Sequence, residues 1–425
     1  MNALGTILKL KRIEKKIRQE DLCQGICTTS YLSRIENNKT IANEEIYRLL
    51  FDRLGLDYDK IFKLSSQLDK RIEKWYEDLL NRKCDTENID ELKELAFTAG
   101  GETSIKFEIV YCRYLLMNNQ LEEAEKILMN LRKIFRPELS RNFFIYSNVL
   151  VYYYILVGGY SQAAEAGLAL TRLVGYENLG KDFELGIFNY NLGLSSLKHG
   201  YYETALNYAE KALSIFKDGF YIDRAMDCLI ILGVCHNNLK NWDKAIYSFE
   251  LAKRTLQFLP EKVHERYWYM ISNNLGNCHE YKGEYDEAVH YYLQALKYLA
   301  DQNKIIPLIN LIRCYYNMGD LKSARFWLES AERTIKLGKV SKKEWIQIDI
   351  FSTLLKEPLS LEEINDIKKT SIQYFLSIED WIHTIRYCGL FAKLYESQNR
   401  YKQANELYKI AFQANEKIKS GGDSL

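Results

Sequence analysis

Three segments of this chain repeat the same small residues at the same distances, and no other feature restricts its fold as much. Leu192-Gly193 is followed by Gly200, Ala205 and Ala212; Leu232-Gly233 by Lys240, Ala245 and Ala252; Leu275-Gly276 by Gly283, Ala288 and Ala295. Counted from the first glycine, the offsets are +7, +12 and +19 each time. Glycine or alanine is needed where two helices approach closely, a turn residue where the chain reverses, and the last alanine where the next hairpin docks. The pattern is one of stacked helical hairpins, whose groove holds a peptide or a protein.

The turn and the small residue recur outside these copies, in Asn119–Ala124, Gly158–Ala163, Gly319–Ala324 and Asn399–Ala404. Weaker units fill residues 70–98 and 345–376, which makes about nine hairpins in all. The units resemble tetratricopeptide repeats. Aligned glycine positions stand 36 to 43 residues apart (193, 233, 276 and Ile312), so helices or loops are longer than in the standard unit. At 425 residues the chain is too long for one ordinary core, which fits a solenoid preceded by a separate module.

That module lies at the amino end. Leu4, Ile7, Leu8 and Leu10 start a helical stripe with basic residues opposite; the first 18 residues carry six Lys/Arg against Glu14 alone. A whole-chain net charge of +1 hides this, and the charge of the domain is the relevant quantity. Leu22, Ile26, Leu32 and Ile35 suit two short helices meeting at an angle. Thr28 or Thr29 caps the second, and Asn37-Asn38 ends it, because Asn tolerates the left-handed conformation. Ile46, Leu49, Leu50 and Leu54 form a further amphipathic helix stopped by Gly55, and Leu56, Tyr58, Ile61 and Phe62 close the bundle.

Gln19-Glu-Asp-Leu22 followed by Ser30-Tyr-Leu-Ser-Arg-Ile-Glu36 resembles the helix-turn-helix domain of the Cro/repressor (Xre-type) class. In that class the second helix lies in the major groove. The resemblance implies that Thr28, Thr29, Ser30, Tyr31, Ser33 and Arg34 face DNA, with Arg34 the candidate for bidentate guanine or phosphate contact. It puts Gln19 and Lys39 on phosphate oxygens, which position without specifying sequence. Alternatives stay open at two positions: Arg34 can pair with Glu36 or another acid instead, and Tyr31 can pack. The chain departs from the class pattern in having Ile17-Arg18 where a hydroxyl cap usually precedes Gln19.

In repeats of this kind the first helix of each hairpin lines the groove. Asn191, Asn274 and Asn310 stand two residues before the aligned glycine position, with Asn273, Asn277 and Arg313 beside them and Asn237 and Asn238 near the end of another first helix. An amide both donates and accepts, so a ladder of them can grip the backbone of an extended peptide whatever its sequence. Arg313 suits a carboxylate, and Tyr267, Trp268 and Tyr316 suit apolar walls. The competing reading is that these amides cap helices or bond one another.

Nine scattered cysteines with no CxxC pair suit a reducing cytoplasm, and Cys23 and Cys27 lack partners for a zinc site. No apolar run approaches the ~20 residues of a membrane span. No Gly-rich phosphate loop, nucleophile elbow or metal spacing occurs, and the six histidines include no helical pair four apart. These features argue against an enzyme, a metal site or a cofactor. The expected fold is all-α. A helix-turn-helix bundle covers residues 1–64, and a helical connection with a degenerate first repeat covers 65–100. A right-handed α-solenoid over 101–418 then serves peptide sensing and oligomerisation.

An Xre-type helix-turn-helix joined to about nine such repeats resembles the peptide-pheromone-sensing regulators of Gram-positive bacteria, the RRNPP group, and within it the NprR-type members. The resemblance implies a cytoplasmic quorum-sensing transcription regulator. Its partners are double-stranded operator DNA, a short imported signalling peptide and a second copy of itself in a homodimer or higher oligomer. Some relatives in the group bind a phosphorelay response regulator through their repeats; the residues neither support nor exclude that role here.

Overall fold

A computed structural model describes residues 4–37, 39–83, 87–99, 101–299, 304–337 and 340–420. The described residues are helical with no strand. The chain forms two compact units, residues 1–191 and 192–425.

The first unit begins with α1 (Leu4–Glu14), α2 (Gln19–Cys23), α3 (Thr29–Glu36) and α4 (Glu44–Arg53), followed by the long α5 (Tyr58–Leu80). Three of these starts have a local cause. The Thr28 hydroxyl accepts from the Tyr31 N–H, Asn43 Oδ1 from Ile46 and Asp57 Oδ1 from Lys60, so each satisfies a helix-end donor that has no intrahelical acceptor. Arg18, in the place of the missing hydroxyl cap, makes no side-chain cap bond to α2. Gly25 and Gly55 turn the chain at φ +72° and +66°, a region closed to most side chains. Asn37 ends α3 at φ −99° rather than in the left-handed form, and Asn38 lies outside the described residues.

Leu4, Leu8, Leu22, Leu32 and Ile35 meet in the bundle core as their spacing predicts. On α4 the buried face is rotated from the expected one: Tyr47 and Phe51 enter the core with Leu50, and Leu49 stays 47% exposed. The two aromatic side chains bring more apolar area to that face than the leucine. No break separates bundle from repeats. Tyr58 and Ile61 of α5 pack on the bundle core, while Ile72, Trp75, Tyr76 and Leu79 of the same helix are fully buried further along.

The hairpins follow in order: α6 (Ile89–Ala99) after α5, then α7 (Gly101–Met117) with α8 (Leu121–Ile134), and α9 (Arg141–Leu156) with α10 (Tyr160–Thr171). Next come α11 (Asp182–His199) with α12 (Tyr202–Asp218), α13 (Ile222–Asn238) with α14 (Trp242–Thr255), and α15 (His264–Lys282) with α16 (Tyr285–Lys297). The last are α17 (Ile305–Met318) with α18 (Leu321–Leu337), α19 (Lys342–Leu354) with α20 (Leu361–Ser377), and α21 (Trp381–Ser397) with α22 (Tyr401–Ser420).

The repeat offsets acquire physical meaning here. The +7 residues Gly200, Lys240 and Gly283 reverse the chain at φ +90°, +63° and +81°. The +12 and +19 alanines are all fully buried. The glycines themselves accept the side chain at +16: a Cβ on Gly233 would lie 2.5 Å from the Phe249 ring, and one on Gly276 would lie 2.7 Å from the Tyr292 ring. In the first copy the +16 residue is Ala209, and Gly193 meets backbone instead, 3.3 Å from the Ala209 nitrogen.

Candidate DNA-reading surface and repeat groove

The reading helix α3 is fixed by one buried carboxylate. Glu36 accepts Arg12 Nε and Nη2 at 2.6 and 2.9 Å and the Gln19 amide at 2.7 Å, tying α1, α2 and α3 together. The hydrogen bond to Glu36 raises the Arg12 guanidinium further above its ordinary value, against the opposing effect of burial. Gln19, expected on phosphate, donates one amide N–H to Glu36. Glu36 is already committed, so it is not the partner of Arg34.

Arg34 is exposed and makes no ion pair among the described residues. Thr28, Thr29, Ser30 and Lys39 are exposed as well, while Tyr31 and Ser33 are half-buried. Tyr31 packs against the bundle core, as its alternative reading had it. Thr29 accepts a weak bond from the Cys23 thiol at 3.7 Å. The result is a polar, cationic ridge of hydroxyls and one guanidinium on the exposed side of a capped helix, which is suited to base edges and phosphates.

In the first unit, Asn191 is buried, and its amide nitrogen has no partner among the described residues. In the second unit, the amides expected in the groove divide into two sets. One set is internal. Asn310 donates to Asn273 Oδ1 at 3.0 Å and accepts from Arg313 Nη2 at 2.8 Å. Arg313 is 2% exposed and holds Glu280 through Nε and, at 2.7 Å, through Nη2; Tyr292 also donates to Glu280, at 2.8 Å. Burial alone would raise the Glu280 carboxyl, but Arg313 outweighs it and holds the group below the usual carboxylate range. The carboxylate expected on Arg313 is therefore supplied by the protein itself. Asn237 is buried, and its Oδ1 lacks a partner among the described residues.

The other set is half-exposed. Asn238 and Asn274 donate to carbonyls of their own helices, Val234 at 2.9 Å and Met270 at 2.7 Å, which leaves their oxygens open. Asn273 and Asn277 accept through their oxygens, which leaves their N–H groups open. The aromatic walls are occupied by their own packing. Tyr267 donates to Asp227 at 2.8 Å, Trp268 stacks on Tyr298 at 5.9 Å, and Tyr316 meets Phe351 edge-on at 5.7 Å. Sequence reasoning missed Glu280 and Arg386. The donor to Asn277 Oδ1 is Arg386, 109 residues away, and no local spacing signals it.

A helix-turn-helix family model matches residues 8–73, and a tetratricopeptide-repeat model matches residues 271–301. The transcriptional activator NprA of Geobacillus stearothermophilus is 26% identical over 414 residues, covering 92% of this chain and 98% of NprA. The apo quorum sensor NprR from B. thuringiensis superposes with a TM-score of 0.62 at 15% identity, over 82% of this chain and 99% of that one. NprR bound to its cognate peptide NprX superposes with 0.56 at 15% identity over the same shares. Apo RapI superposes with 0.62 at 16% identity over 84% and 99%. Fold and site define a DNA-binding helix-turn-helix protein with a tetratricopeptide-repeat body. The chain is similar to transcription regulators of the RRNPP type.

Proposed function

We propose that this chain is a peptide-gated transcription regulator that works in the cytoplasm as a homodimer. An extended oligopeptide lies along the first helices of the second unit's hairpins, and its binding changes how the helix-turn-helix engages operator DNA. The observation that carries the reading is the row of half-exposed amides Asn238, Asn273, Asn274 and Asn277, each with one end open. The set offers both open donors and open acceptors, which suit the N–H and C=O groups of an extended backbone. NprR, which shares the fold, has been crystallised with a cognate peptide. No helix among the described residues is long and apolar enough to cross a membrane.

Each hairpin touches mainly its neighbours, so small shifts add along a stack. The peptide acts only through preferring one arrangement over another. Helix-turn-helix dimers read paired half-sites about one helical turn apart, which gives the second copy its role. On this reading Thr28, Thr29, Ser30, Ser33 and Arg34 meet the operator, and Lys39 meets phosphate. No described residue favours the second reading, a response-regulator contact.

Two measurements on the full chain test the proposal. Arg34→Ala is expected to abolish sequence-specific footprints on selected genomic fragments while the melting temperature is unchanged; a normal footprint refutes the DNA assignment. Synthetic octapeptides retained by the wild type are expected to bind Asn273→Ala/Asn274→Ala at least about tenfold more weakly, since each lost amide bond costs ~1–3 kcal/mol. Equal calorimetric affinity refutes the amide row.

A further inference from the structure

Arg386 of α21 reaches across to α15. Its Nη2 donates to Asn277 Oδ1 at 3.0 Å and to the Tyr281 hydroxyl at 2.6 Å, and its guanidinium carbon sits 4.9 Å from the centre of the Tyr281 ring. Both partners are neutral. Nε and Nη1 make no hydrogen bond among the described residues, and the side chain is only half-buried. Glu280 lies within electrostatic reach of Arg386 but is already held by Arg313. Asp380, the acid at the start of α21, is taken by Lys343 and His383. One carboxylate thus faces two guanidiniums, and the side of the amide row next to Asn277 carries an excess positive charge with open donors. A planar guanidinium with free N–H groups, pre-oriented by a ring and two acceptors, is the arrangement that recognises a carboxylate.

We propose that Arg386, steadied by Asn277 and Tyr281, is the subsite that binds a carboxylate of the peptide, either an Asp/Glu side chain or the free C-terminus. The inference rests on the peptide reading above and adds what that reading lacks, a charge requirement on the ligand. It also moves carboxylate recognition from Arg313, whose charge is spent inside the protein, to the cation that has no acid of its own.

The probe is a pair of synthetic octapeptide libraries, one ending in a free acid and one in a carboxamide, each with every position scanned as Asp against Asn. Both are panned on the full-length protein. The wild type is expected to favour the acid at one position, or the free C-terminus, by about tenfold or more. Which library shows the preference tells the two carboxylate sources apart. Arg386→Gln is expected to lose that preference while still retaining the Asn or carboxamide peptides. Arg386→Lys, which keeps charge without the planar fork, is expected to keep part of it. Wild-type affinity for the preferred peptide is expected to fall between about 0.05 and 0.5 M salt while the neutral isostere holds steady, a readout that needs no variant. A wild type without acid preference, or Arg386→Gln with the preference intact, overturns the subsite alone. A wild type that retains no peptide in either library overturns the peptide reading, and the subsite with it.

Discussion

The same substitution, glycine to alanine inside a helix, is expected to act with opposite sign at two positions of the second unit. Gly389 sits in α21, and a Cβ there meets nothing within 4 Å. Alanine at that site gains only the helix-propensity difference, about 1 kcal/mol of added stability. Gly233 sits in α13, where a Cβ would lie 2.5, 2.6 and 2.8 Å from three carbons of the Phe249 ring. Phe249 is fully buried, so the ring is not the loose end of a flexible chain. Overpacking of this kind costs about 1–3 kcal/mol, with occasional larger values. Contacts this short place the site at the upper end of that range, about 3 kcal/mol. After the propensity gain, Gly233→Ala is expected to lose about 2 kcal/mol. Repeat arrays open locally, so the measurement is native-state hydrogen exchange on α13 and α14 rather than one global melt. Amides of those helices should exchange about thirtyfold faster in Gly233→Ala, and those of α21 several-fold slower in Gly389→Ala. Adding Phe249→Ala to Gly233→Ala should give less than the sum of the two losses, because the new methyl fills part of the vacated space. A Gly233→Ala protein as protected as the wild type would show that Gly233 is not there to admit the +16 side chain.

Further outcomes follow from the same geometry. Lys240 holds the turn between α13 and α14 at φ +63°, where a side chain costs ~1 kcal/mol, so Lys240→Gly is expected to raise the urea midpoint. His383 is lowered to about 4 by burial, against the pull of Asp380, and it stacks on Phe375 at 5.5 Å. The unfolded chain binds this proton first, so the stability from keeping His383 neutral is present above about pH 6.5 and is lost as pH falls from there towards 4. Calorimetry of wild type and His383→Phe over that interval should show a slope in the first and a flatter line in the second; equal slopes would remove His383 from the account. Glu36→Gln is expected to cost about 3 kcal/mol, because it leaves Arg12 without its charged partner. Circular dichroism melts of the isolated substitution in the full chain would register an unchanged bundle if that pair were dispensable.

Short-range spacing carried a great deal of this protein. Helix starts at Thr28, turns at residues such as Gly200 and Gly283, and buried alanines at Ala205 and Ala212 are all set by residues within one hairpin, where backbone geometry and neighbours along the chain decide the outcome. The hairpin repeat, the all-helical class and the position of the exposed Arg34 were therefore readable from sequence alone. The +16 partner of each glycine was also written in the sequence, but it changes identity from Ala209 to Phe249 to Tyr292. A search for identical residues passes over it. What only the tertiary structure decided is which charges and amides are already spoken for. Glu36 takes Gln19 across 17 residues, Glu280 takes Arg313 across 33, and Asn277 receives Arg386 across 109. Partnerships of that kind depend on how elements stack in space, and charge neutralisation is satisfied by whichever group arrives. A sequence shows which side chains can bind, while the fold determines which of them remain free to do so.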